Sequence, residues 1–247
     1  MKKVVYILGS TRCGTTMFDL VISSHSDCAS VGELCFLHKR ACGFCGSECK
    51  HWVRYSKMLK KPHYYHTAFD VFGADILVDS SKKWRWLKDR AKHEDYEYKV
   101  IHVVRNGLDR LRFRKRQDKK IRPYVVSAWV NTYHKCKKLI EKFSGIEVRY
   151  EDIVHDETFE KIFNFIGIQY DPKYRRFWEY EHHGLLGSKT AYSLVRAHKG
   201  KDSTNNYVDI HGFNLTPRIG HEFLSEKDID VFNRYGGRKL NKELGYK

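Results

Sequence analysis

The stretch GSTRCGTT, from Gly9 to Thr16, most constrains how this chain can fold. A short apolar run at residues 4–8 precedes it, and a longer apolar stretch at residues 17–22 follows it. Glycines at such a junction let the chain turn so that several backbone N–H groups at the start of a helix point at one anion. The pattern therefore predicts a strand, an anion-binding loop and a helix, which together open an α/β fold.

The loop departs from the P-loop consensus, Gly-x4-Gly-Lys-Ser/Thr, at one position. Thr15 stands where a nucleotide triphosphatase has the lysine that bridges its β- and γ-phosphates. The fixed positive charge is instead Arg12, whose guanidinium stays protonated and binds oxyanions through a fork of donors. The loop therefore predicts a site for one terminal phosphate group without a metal ion. The alternative is an ordinary glycine-containing turn between a strand and a helix.

Short β-rich runs alternate with longer helical patterns along the chain. The predicted strands are Val4–Leu8, Cys28–Val31, Ile76–Asp79, Val100–Arg105 and Ile146–Tyr150. The predicted helices are Thr15–Ser24, Lys83–Lys92, Pro123–Phe143, Asp156–Ile166, Pro172–Glu181 and Ser225–Tyr235. Strands dense in valine and isoleucine and separated by helices are typical of a parallel sheet buried on both faces. We therefore expect an α/β fold, a three-layer P-loop-like domain with a central parallel sheet of four to five strands flanked by helices.

One long segment near the C-terminus, Gly184–Gly220, is polar and interrupted by glycines. Such a segment is typical of a functional loop or lid. The 247 residues are enough for one large domain and marginal for two. The sequence therefore predicts a single domain over residues 1–247, with Gly184–Gly220 as a loop or lid.

The chain is strongly basic, with 46 lysines and arginines, 30 acidic residues and a formal net charge of +16. Such an excess suits an anionic cofactor, an anionic acceptor or nucleic acid. No apolar run approaches the ~20 residues that span a bilayer. The first predicted strand begins by Val4, which leaves no room for a signal peptide. We therefore expect a cytoplasmic protein with no membrane partner.

The segment Arg12–Thr16, Arg-Cys-Gly-Thr-Thr, resembles the 5′-phosphosulfate loop of sulfotransferases that use 3′-phosphoadenosine-5′-phosphosulfate (PAPS). That loop is approximately (K/R)-(S/T)-G-T-T after the first strand. Four later segments resemble recurrent segments of the same family in order and spacing: Ser24–Leu34, Leu77–Lys82, His102–Arg110 and Val148–Ile153. The resemblance covers about residues 4–170 and is strongest to tyrosylprotein-type and related bacterial sulfotransferases.

The resemblance implies transfer of a sulfuryl group from PAPS to an acceptor hydroxyl or amine, with 3′-phosphoadenosine-5′-phosphate (PAP) as product and no metal required. It implies that Glu33 is the general base and that Arg12 and Lys82 stabilise the leaving phosphate. It implies that the donor is bound by the loop and by four later residues, namely Ser10, Thr11, Arg12, Cys13, Gly14, Thr15, Thr16, Arg105, Phe113, Tyr150 and Arg218. Of these, Arg105 matches the arginine that binds the 3′-phosphate in the family.

Phe113 departs from the family pattern, which usually has a serine here as a partner of the 3′-phosphate. Basic side chains nearby are candidates to replace that serine: Arg110, Arg112, Arg114, Lys115 and Arg116. The basic run Arg110–Arg122 is either a solvated helix surface or a patch that attracts the nucleotide and an acidic acceptor such as a polysaccharide. Aromatic residues hardly interleave with its charges, which disfavours nucleic acid as the partner.

Each catalytic candidate also has an ordinary structural interpretation. Lys82, which forms a pair with Lys83, has the alternative of being a solvated surface lysine. Glu33 has the alternative of being a helix N-terminal glutamate that only complements the helix dipole. Because other sulfotransferases use histidine as the base, the adjacent His182 and His183 are held in reserve.

The seven cysteines include a cluster, Cys42, Cys45 and Cys49, with His51 two residues further on. These four side chains have the chemistry of zinc ligands, but their spacing is tighter than in usual structural sites, where two ligand pairs stand further apart. One disulfide or free thiols are also compatible with the pattern. An odd number of cysteines favours reduced thiols in a cytosol-like compartment.

Two other functions stay open at this stage. A metal-dependent P-loop kinase or triphosphatase would use Asp79 to hold Mg²⁺, although Thr15 stands where it needs a lysine. A basic nucleic-acid-binding protein would rely on the net charge, with the proposed catalytic residues dispensable. The acceptor is predicted only as a sugar, a tyrosine-containing or a small hydroxyl substrate, selected by Glu33–Lys61 and Gly184–Gly220.

Overall fold

A computed structural model describes residues 2–39, 42–116, 120–200, 213–217, 220 and 223–246. Its centre is a five-stranded sheet whose neighbouring strands all pair in parallel. The strands are β1 (Lys3–Gly9), β2 (Cys28–Gly32), β3 (Ile76–Lys82), β4 (Glu97–Val104) and β5 (Ile146–Arg149). They lie in the order β2-β3-β1-β4-β5, which confirms the predicted parallel sheet.

Helices connect these strands and follow the sheet. The described α-helices are α1 (Thr15–Ile22), α2 (Lys50–Met58), α3 (Tyr64–Phe72), α4 (Trp84–His93), α5 (Gly107–Lys115), α6 (Pro123–Lys142), α7 (Asp156–Ile166), α8 (Lys189–His198), α9 (Glu226–Arg234) and α10 (Gly237–Glu243). Short 3₁₀ helices cover Leu34–Lys39, Tyr150–Val154, Pro172–Arg175 and Phe177–Glu179. None of the described helices is long and apolar enough to cross a bilayer.

Helices cover the sheet on both faces. Successive strand residues point to opposite sides, so neighbouring residues of one strand pack against different helices. On one face, Val5 of β1 packs in a buried cluster with Phe18 of α1 and Phe163 of α7. On the other face, Tyr6 of β1 packs in a separate buried cluster with Leu139 of α6. The fold therefore has three layers, helix, sheet and helix, as the sequence predicts.

Strand β1 lies in the middle of the sheet, and its position determines where a ligand can bind. The chain builds β2 and β3 on one side of β1 and then crosses to build β4 and β5 on the other. Open α/β sheets bind ligands at the carboxyl ends of the strands where the strand order reverses in this way. Gly9 ends β1, Lys82 ends β3 and Arg105 follows β4, so the topology brings the start of the loop and two predicted site residues to one edge.

The segment Pro172–Glu181 is not the single helix that the sequence analysis expects. It forms two 3₁₀ turns separated by Arg176, whose backbone angles (φ −86°, ψ 50°) are not helical. The side chain of Asp171 caps the first turn by accepting a hydrogen bond from the Lys173 amide at 2.9 Å. The local capping and the break at Arg176 therefore override the helical pattern.

The segment Gly184–Gly220 also differs from the expectation, because its residues 189–198 form helix α8. Leu194 and Val195 of α8 are buried in the same cluster as α1 and α7. The helix gains its stability from this packing, which the polar composition of the segment does not reveal. Residues 201–212 and 218–219 lie outside the described residues.

Candidate active site

The loop after β1 has a backbone conformation that few sequences can adopt. Arg12 and Gly14 have φ angles of +73° and +93°, both in the left-handed region. A glycine is required at position 14, because a Cβ there would lie 2.1 Å from a ring carbon of Tyr150. Helix α1 begins directly afterwards at Thr15, so the unpaired amides of its first turn belong to the loop.

A cavity of about 540 Å³ opens beside this loop, at the carboxyl edge of the sheet. Its volume falls in the range of small-molecule sites. Its lining residues are Gly9, Ser10, Thr11, Arg12, Gly14, Thr15, Thr16, Met17, Glu33, Phe36, Lys82, Lys83, Trp84, Arg105, Arg110, Phe113, Ala128, Thr132, Tyr150, Gly187, Ser188 and Thr190. The structure thus brings together the predicted catalytic residues and, apart from Cys13 and Arg218, the predicted donor-binding residues.

Cys13 does not line the cavity, contrary to the expectation for a donor-binding residue. Its side chain is buried in the core, close to Gly9 and away from the open side of the loop. Its amide donates to the carbonyl of Ser10 at 3.3 Å, which closes the loop on itself. Cys13 therefore supports the loop from the core side of the sheet edge. Arg218 lies outside the described residues.

Three guanidinium groups surround the loop and give it a concentrated positive charge. Arg105 donates to the Arg12 carbonyl at 2.9 Å and lies over the ring of Tyr150, 4.3 Å from its centroid. Arg110 donates to the Thr11 carbonyl at 3.2 Å. Burial lowers the pKa of Arg12, and it lowers the pKa of Arg110 to about 10. Both groups stay protonated near neutral pH, so the site suits an anion.

Phe113, which stands where the family has a serine, contacts the loop through Arg12. The guanidinium carbon of Arg12 lies 4.0 Å from the centroid of the Phe113 ring. Such a cation–π contact orients the guanidinium plane and leaves its N–H groups available for an oxyanion. Phe113 therefore supplies a cation–π contact with Arg12, which a serine hydroxyl could not supply.

Glu33 and Lys82 form an ion pair inside the cavity. Lys82 Nζ lies 2.5 Å from Glu33 Oε1, and each side chain is only 14% exposed. Lys82 also donates to the Ser80 carbonyl at 3.3 Å, and its φ of +63° is left-handed. This enclosed position rules out the alternative in which Lys82 is a solvated surface lysine. It places one carboxylate and one ammonium group together at the edge of the sheet, next to the loop.

Residues that follow position 184 form a further part of the cavity wall, although they lie about 150 residues after Glu33 in the sequence. The Glu33 amide donates to the Leu185 carbonyl at 2.7 Å, and the Leu185 amide donates to the Val31 carbonyl at 3.2 Å. Gly32 allows this approach, because its φ is +64° and a Cβ there would lie 2.3 Å from the Leu185 carbonyl oxygen. The segment then contributes three lining residues: Gly187, Ser188 and Thr190.

The sequence analysis did not identify several other lining residues. Lys83 and Trp84 directly follow Lys82, the last residue of β3. Their position at the carboxyl end of a strand could have predicted that they line the cavity. Ala128 and Thr132 lie one turn apart on α6, and the Thr132 hydroxyl donates to the Ala128 carbonyl at 2.7 Å. No local motif marks this pair, because only the packing of α6 against the sheet brings it to the cavity.

Comparison with known proteins identifies the fold. No protein-family model and no curated protein sequence matches the chain. The solved sulfotransferase domain from the curacin biosynthetic pathway aligns with a TM-score of 0.60 at 15% identity, over 100% of this chain and 99% of that one. The crystal structure of mouse sulfotransferase SULT7A1 complexed with PAP aligns with a TM-score of 0.54 at 12% identity, over 99% and 89% of the two chains. The chain has the sulfotransferase fold.

Within this sulfotransferase fold, Asp79 is not placed to hold a metal ion. It is fully buried and accepts hydrogen bonds from the Tyr65 hydroxyl at 2.7 Å, the Ser81 amide at 2.7 Å and Trp86 Nε1 at 3.2 Å. Burial raises the pKa of this carboxyl to about 6. Its oxygens are committed to protein donors, which removes the main support for a Mg²⁺-dependent kinase.

Neither reserve histidine is among the described residues that line the cavity. His182 is buried, with one ring nitrogen 2.8 Å from the Phe177 carbonyl oxygen and the other 3.4 Å from the Ser23 hydroxyl. Burial lowers the pKa of His182 to about 4. His183 lies beside the cysteine cluster instead. Glu33, which lines the cavity, is therefore a better-placed candidate than either histidine to accept a proton there.

The basic run Arg110–Arg122 is partly committed to contacts within the protein. Lys115 pairs with Asp228 at 2.8 Å, and the guanidinium of Arg116 lies 4.6 Å from the ring centroid of Phe223. Arg110 faces the loop as described above, and residues 117–119 lie outside the described residues. Several cations in the described part of the run therefore contact other protein groups, which weakens the hypothesis of a nucleic-acid-binding surface.

The three clustered cysteines converge with a histidine, but not with the one that the sequence analysis names. The side chains that meet are those of Cys42, Cys45, Cys49 and His183, which follows Cys49 by 134 residues. His51 is not part of this group; its ring packs between His183, 4.2 Å away, and Phe72, 5.1 Å away, measured between ring centroids. Spacing along the chain pointed to the nearer histidine, while the fold supplies the distant one.

Proposed function

We propose that this protein is a PAPS-dependent sulfotransferase that transfers a sulfuryl group to an acceptor hydroxyl or amine. The observation that carries the proposal is the cavity itself, in which a loop bearing Arg12 adjoins an enclosed pair of Glu33 and Lys82. The fold of sulfotransferases, one of them complexed with PAP, supports the same assignment.

The loop is proposed to bind the 5′-phosphosulfate of the donor. Arg12 and the amides at residues 14–16 supply N–H donors, and Thr15 and Thr16 add hydroxyl groups at the start of α1. Oxyanions are bound strongly by such charge-assisted hydrogen bonds in a cavity with limited solvent. The missing P-loop lysine is consistent with a donor that carries no γ-phosphate and is held without a divalent ion.

The far end of the donor is proposed to lie against Arg105 and Tyr150. Arg105 emerges from β4 beside the loop, and its guanidinium is already oriented by the Tyr150 ring and the Arg12 carbonyl. A fixed guanidinium is suited to the 3′-phosphate, because little conformational entropy is lost when it binds. Arg110 is a second cation within the same wall, and we propose that it contributes where the family uses a serine.

The transfer step is proposed to be an in-line displacement at sulfur. The acceptor O–H gives its proton to Glu33, the acceptor oxygen forms a bond to sulfur, and the bond from sulfur to the 5′-phosphate oxygen breaks. Negative charge then develops on the leaving phosphate of PAP, where Arg12 and Lys82 would stabilise it. The ion pair with Lys82 holds the Glu33 carboxylate in the cavity before the acceptor arrives.

A transfer assay with ³⁵S-labelled PAPS tests the proposal directly. The full chain is incubated without added Mg²⁺ with separate acceptors: a sugar, a sugar amine, a tyrosine-containing peptide and a small phenol. We expect labelled product with at least one acceptor class, and about 10³-fold less efficient transfer by an Arg12→Ala variant. Stabilisation of the protein by Mg-ATP and not by PAP in a thermal shift assay would contradict the proposal and favour a nucleotide kinase.

A further inference from the structure

A cluster of four side chains outside the cavity has the arrangement of a metal site. The sulfur atoms of Cys42, Cys45 and Cys49 and a ring nitrogen of His183 all lie within 4.8 Å of one another. His183 Nδ1 is 3.4 Å from the Cys45 sulfur and 3.5 Å from the Cys49 sulfur. All seven cysteines of the chain are free thiols, so the three sulfurs converge without forming a disulfide.

We propose that these four side chains bind one structural Zn²⁺ as a Cys₃His site. Tetrahedral zinc has Zn–S and Zn–N distances of about 2.3 and 2.0–2.1 Å, which places a ligand sulfur and a ligand nitrogen about 3.6 Å apart. The two sulfur–nitrogen distances of 3.4 and 3.5 Å agree with this geometry. The histidine nitrogen therefore already lies at a zinc-site distance from two of the three sulfurs.

The turn that carries the first two cysteines is built to stabilise a thiolate. The amides of Phe44 and Cys45 both lie 3.5 Å from the Cys42 sulfur and point their N–H groups at it. Reciprocal backbone hydrogen bonds between Cys42 and Gly46, at 3.2 and 3.1 Å, close the turn. Donors of this kind around a ligand atom are the outer contacts that orient and tune a metal site.

The histidine is held from its other side. His183 Nε2 lies 3.1 Å from Glu181 Oε1, so a proton on Nε2 is donated to that carboxylate and Nδ1 keeps its lone pair for the metal. The indole N–H of Trp52 donates to the backbone carbonyl of His183 and fixes the main chain there. A carboxylate behind a ligating histidine is a recurrent feature of zinc sites.

The ligand set favours a structural role and zinc as the ion. Three thiolates and one imidazole are soft ligands that match Zn²⁺ and do not suit Mg²⁺ or Ca²⁺. Four protein ligands complete a tetrahedral site and leave no position for a substrate or a water. None of the four is among the described residues that line the cavity, so the site is separate from the proposed sulfuryl transfer.

The site would hold together two parts of the chain that meet at the cavity. The Gly43 amide donates to the Gly184 carbonyl at 2.9 Å, one residue beyond the ligand His183. The next residue, Leu185, pairs with Gly32 beside the candidate base. Zinc would therefore fix the segment that leads to Ser188 in the cavity wall, without touching a substrate.

Metal analysis of the full chain tests the proposal. The protein is purified without chelators, and its zinc content is measured by inductively coupled plasma mass spectrometry. We expect one zinc per chain in the wild type, none in His183→Ala and Cys49→Ser, and one in His51→Ala. The last variant is the matched control, because it removes a neighbouring histidine that the structure places outside the ligand set. Co²⁺ in place of zinc should give the visible absorption of a tetrahedral thiolate site.

The wild-type protein tests the zinc proposal even if the ligand variants do not fold. Removal of zinc from the wild type by a chelator should lower the thermal midpoint by several degrees, and added Zn²⁺ should restore it while Mg²⁺ does not. A wild-type chain without zinc, a chain that contains iron instead, a disulfide among the three cysteines, or equal zinc loss in His51→Ala would each overturn the assignment.

Discussion

The two walls of the cavity are built in different ways. The loop wall consists of residues 9–12 and 14–17 with Arg105, Arg110, Phe113 and Tyr150, and most of these residues lie in short motifs that the sequence shows. The segment wall consists of Glu33, Gly187, Ser188 and Thr190, and it exists because two parts of the chain about 150 residues apart pair at Gly32 and Leu185. The loop wall carries the guanidinium groups, whereas the segment wall contributes mainly glycine and hydroxyl side chains.

This difference suggests that the two walls bind different substrates. A wall of fixed cations binds the part of a substrate that is always the same, which is the proposed nucleotide donor. A wall held by backbone pairing, close to the candidate base, is where the acceptor would be selected. Changes in the loop wall should therefore affect every reaction of the protein, while changes in the segment wall should affect stability or acceptor use.

The largest effect is expected for Arg12→Ala in the loop wall. Removal of this guanidinium takes away a charge-assisted donor at the leaving group, and we expect kcat/KM to fall about 10³-fold. The transfer assay with labelled PAPS measures it. Arg234→Ala is the matched control, because Arg234 is exposed and pairs only locally with Asp230 in the described structure. Turnover that is the same in both variants would remove the loop from the mechanism.

Glu33→Gln should separate chemistry from donor binding. The amide cannot accept the acceptor proton, so we expect turnover to fall by about 10²-fold while the affinity for PAP stays close to that of the wild type. Steady-state kinetics and calorimetric titration with PAP measure the two quantities. If PAP binding collapsed instead, Glu33 would be a residue that supports the site through its ion pair with Lys82.

Gly32→Ala tests the pairing that forms the segment wall. The new Cβ would lie 2.3 Å from the Leu185 carbonyl oxygen at a φ of +64°, so we expect a loss of more than about 2 kcal/mol in the free energy of unfolding. Gly73→Ala is the control, because its φ is +66° but nothing lies within 4 Å of the added Cβ. Urea denaturation compares them. Equal losses would mean that the approach of Leu185 contributes nothing beyond backbone strain.

Phe113→Leu should have a smaller effect in the loop wall. The variant keeps an apolar side chain but loses the cation–π contact 4.0 Å from Arg12, and such contacts contribute about 0.5–1 kcal/mol at accessible sites. We expect PAP to bind about two- to fivefold more weakly in a calorimetric titration. Unchanged or tighter binding would show that the ring does not orient Arg12.

A pH dependence of stability is expected from Asp19, which is buried in α1 and accepts a hydrogen bond from Ser80 at 2.7 Å. Burial raises the pKa of Asp19 to about 7, above the value of about 4 for an unfolded aspartate. Between these values the folded state binds more protons than the unfolded state, so this residue makes stability fall as pH rises. Asp19→Asn removes that contribution.

Thermal midpoints between pH 5 and pH 8 measure this difference. We expect the wild type to lose more stability than Asp19→Asn as pH rises through this window. Two curves that run parallel would contradict the assignment of a raised pKa to Asp19.

The loop wall could be predicted from the sequence because its determinants are local. The glycines and Arg12 define the loop, and the residue types at positions 105 and 150 follow strands whose Val/Ile patterns are clear. The five predicted strands all occur within a few residues of their expected ends for the same reason. The buried position of Cys13 was not predictable, because the sequence does not show which way a loop side chain points.

The segment wall and the histidine of the cysteine cluster could not be predicted, because both depend on contacts between distant residues. Helix α8 is stabilised by burying Leu194 and Val195, and nothing in its polar neighbourhood signals that packing. The spacing of the cysteines pointed to His51, whereas the fold brings His183 to them. Local pattern therefore identifies the proposed donor site, and only the tertiary structure identifies what surrounds it.

Titration calorimetry with PAP, in buffer without divalent ions, tests the central claim most directly. We predict saturable binding of one PAP per chain by the wild type and binding at least tenfold weaker by Arg12→Ala, with Arg234→Ala unchanged. Absence of PAP binding by a folded wild-type chain, or equal affinity in the Arg12→Ala variant, would contradict the account.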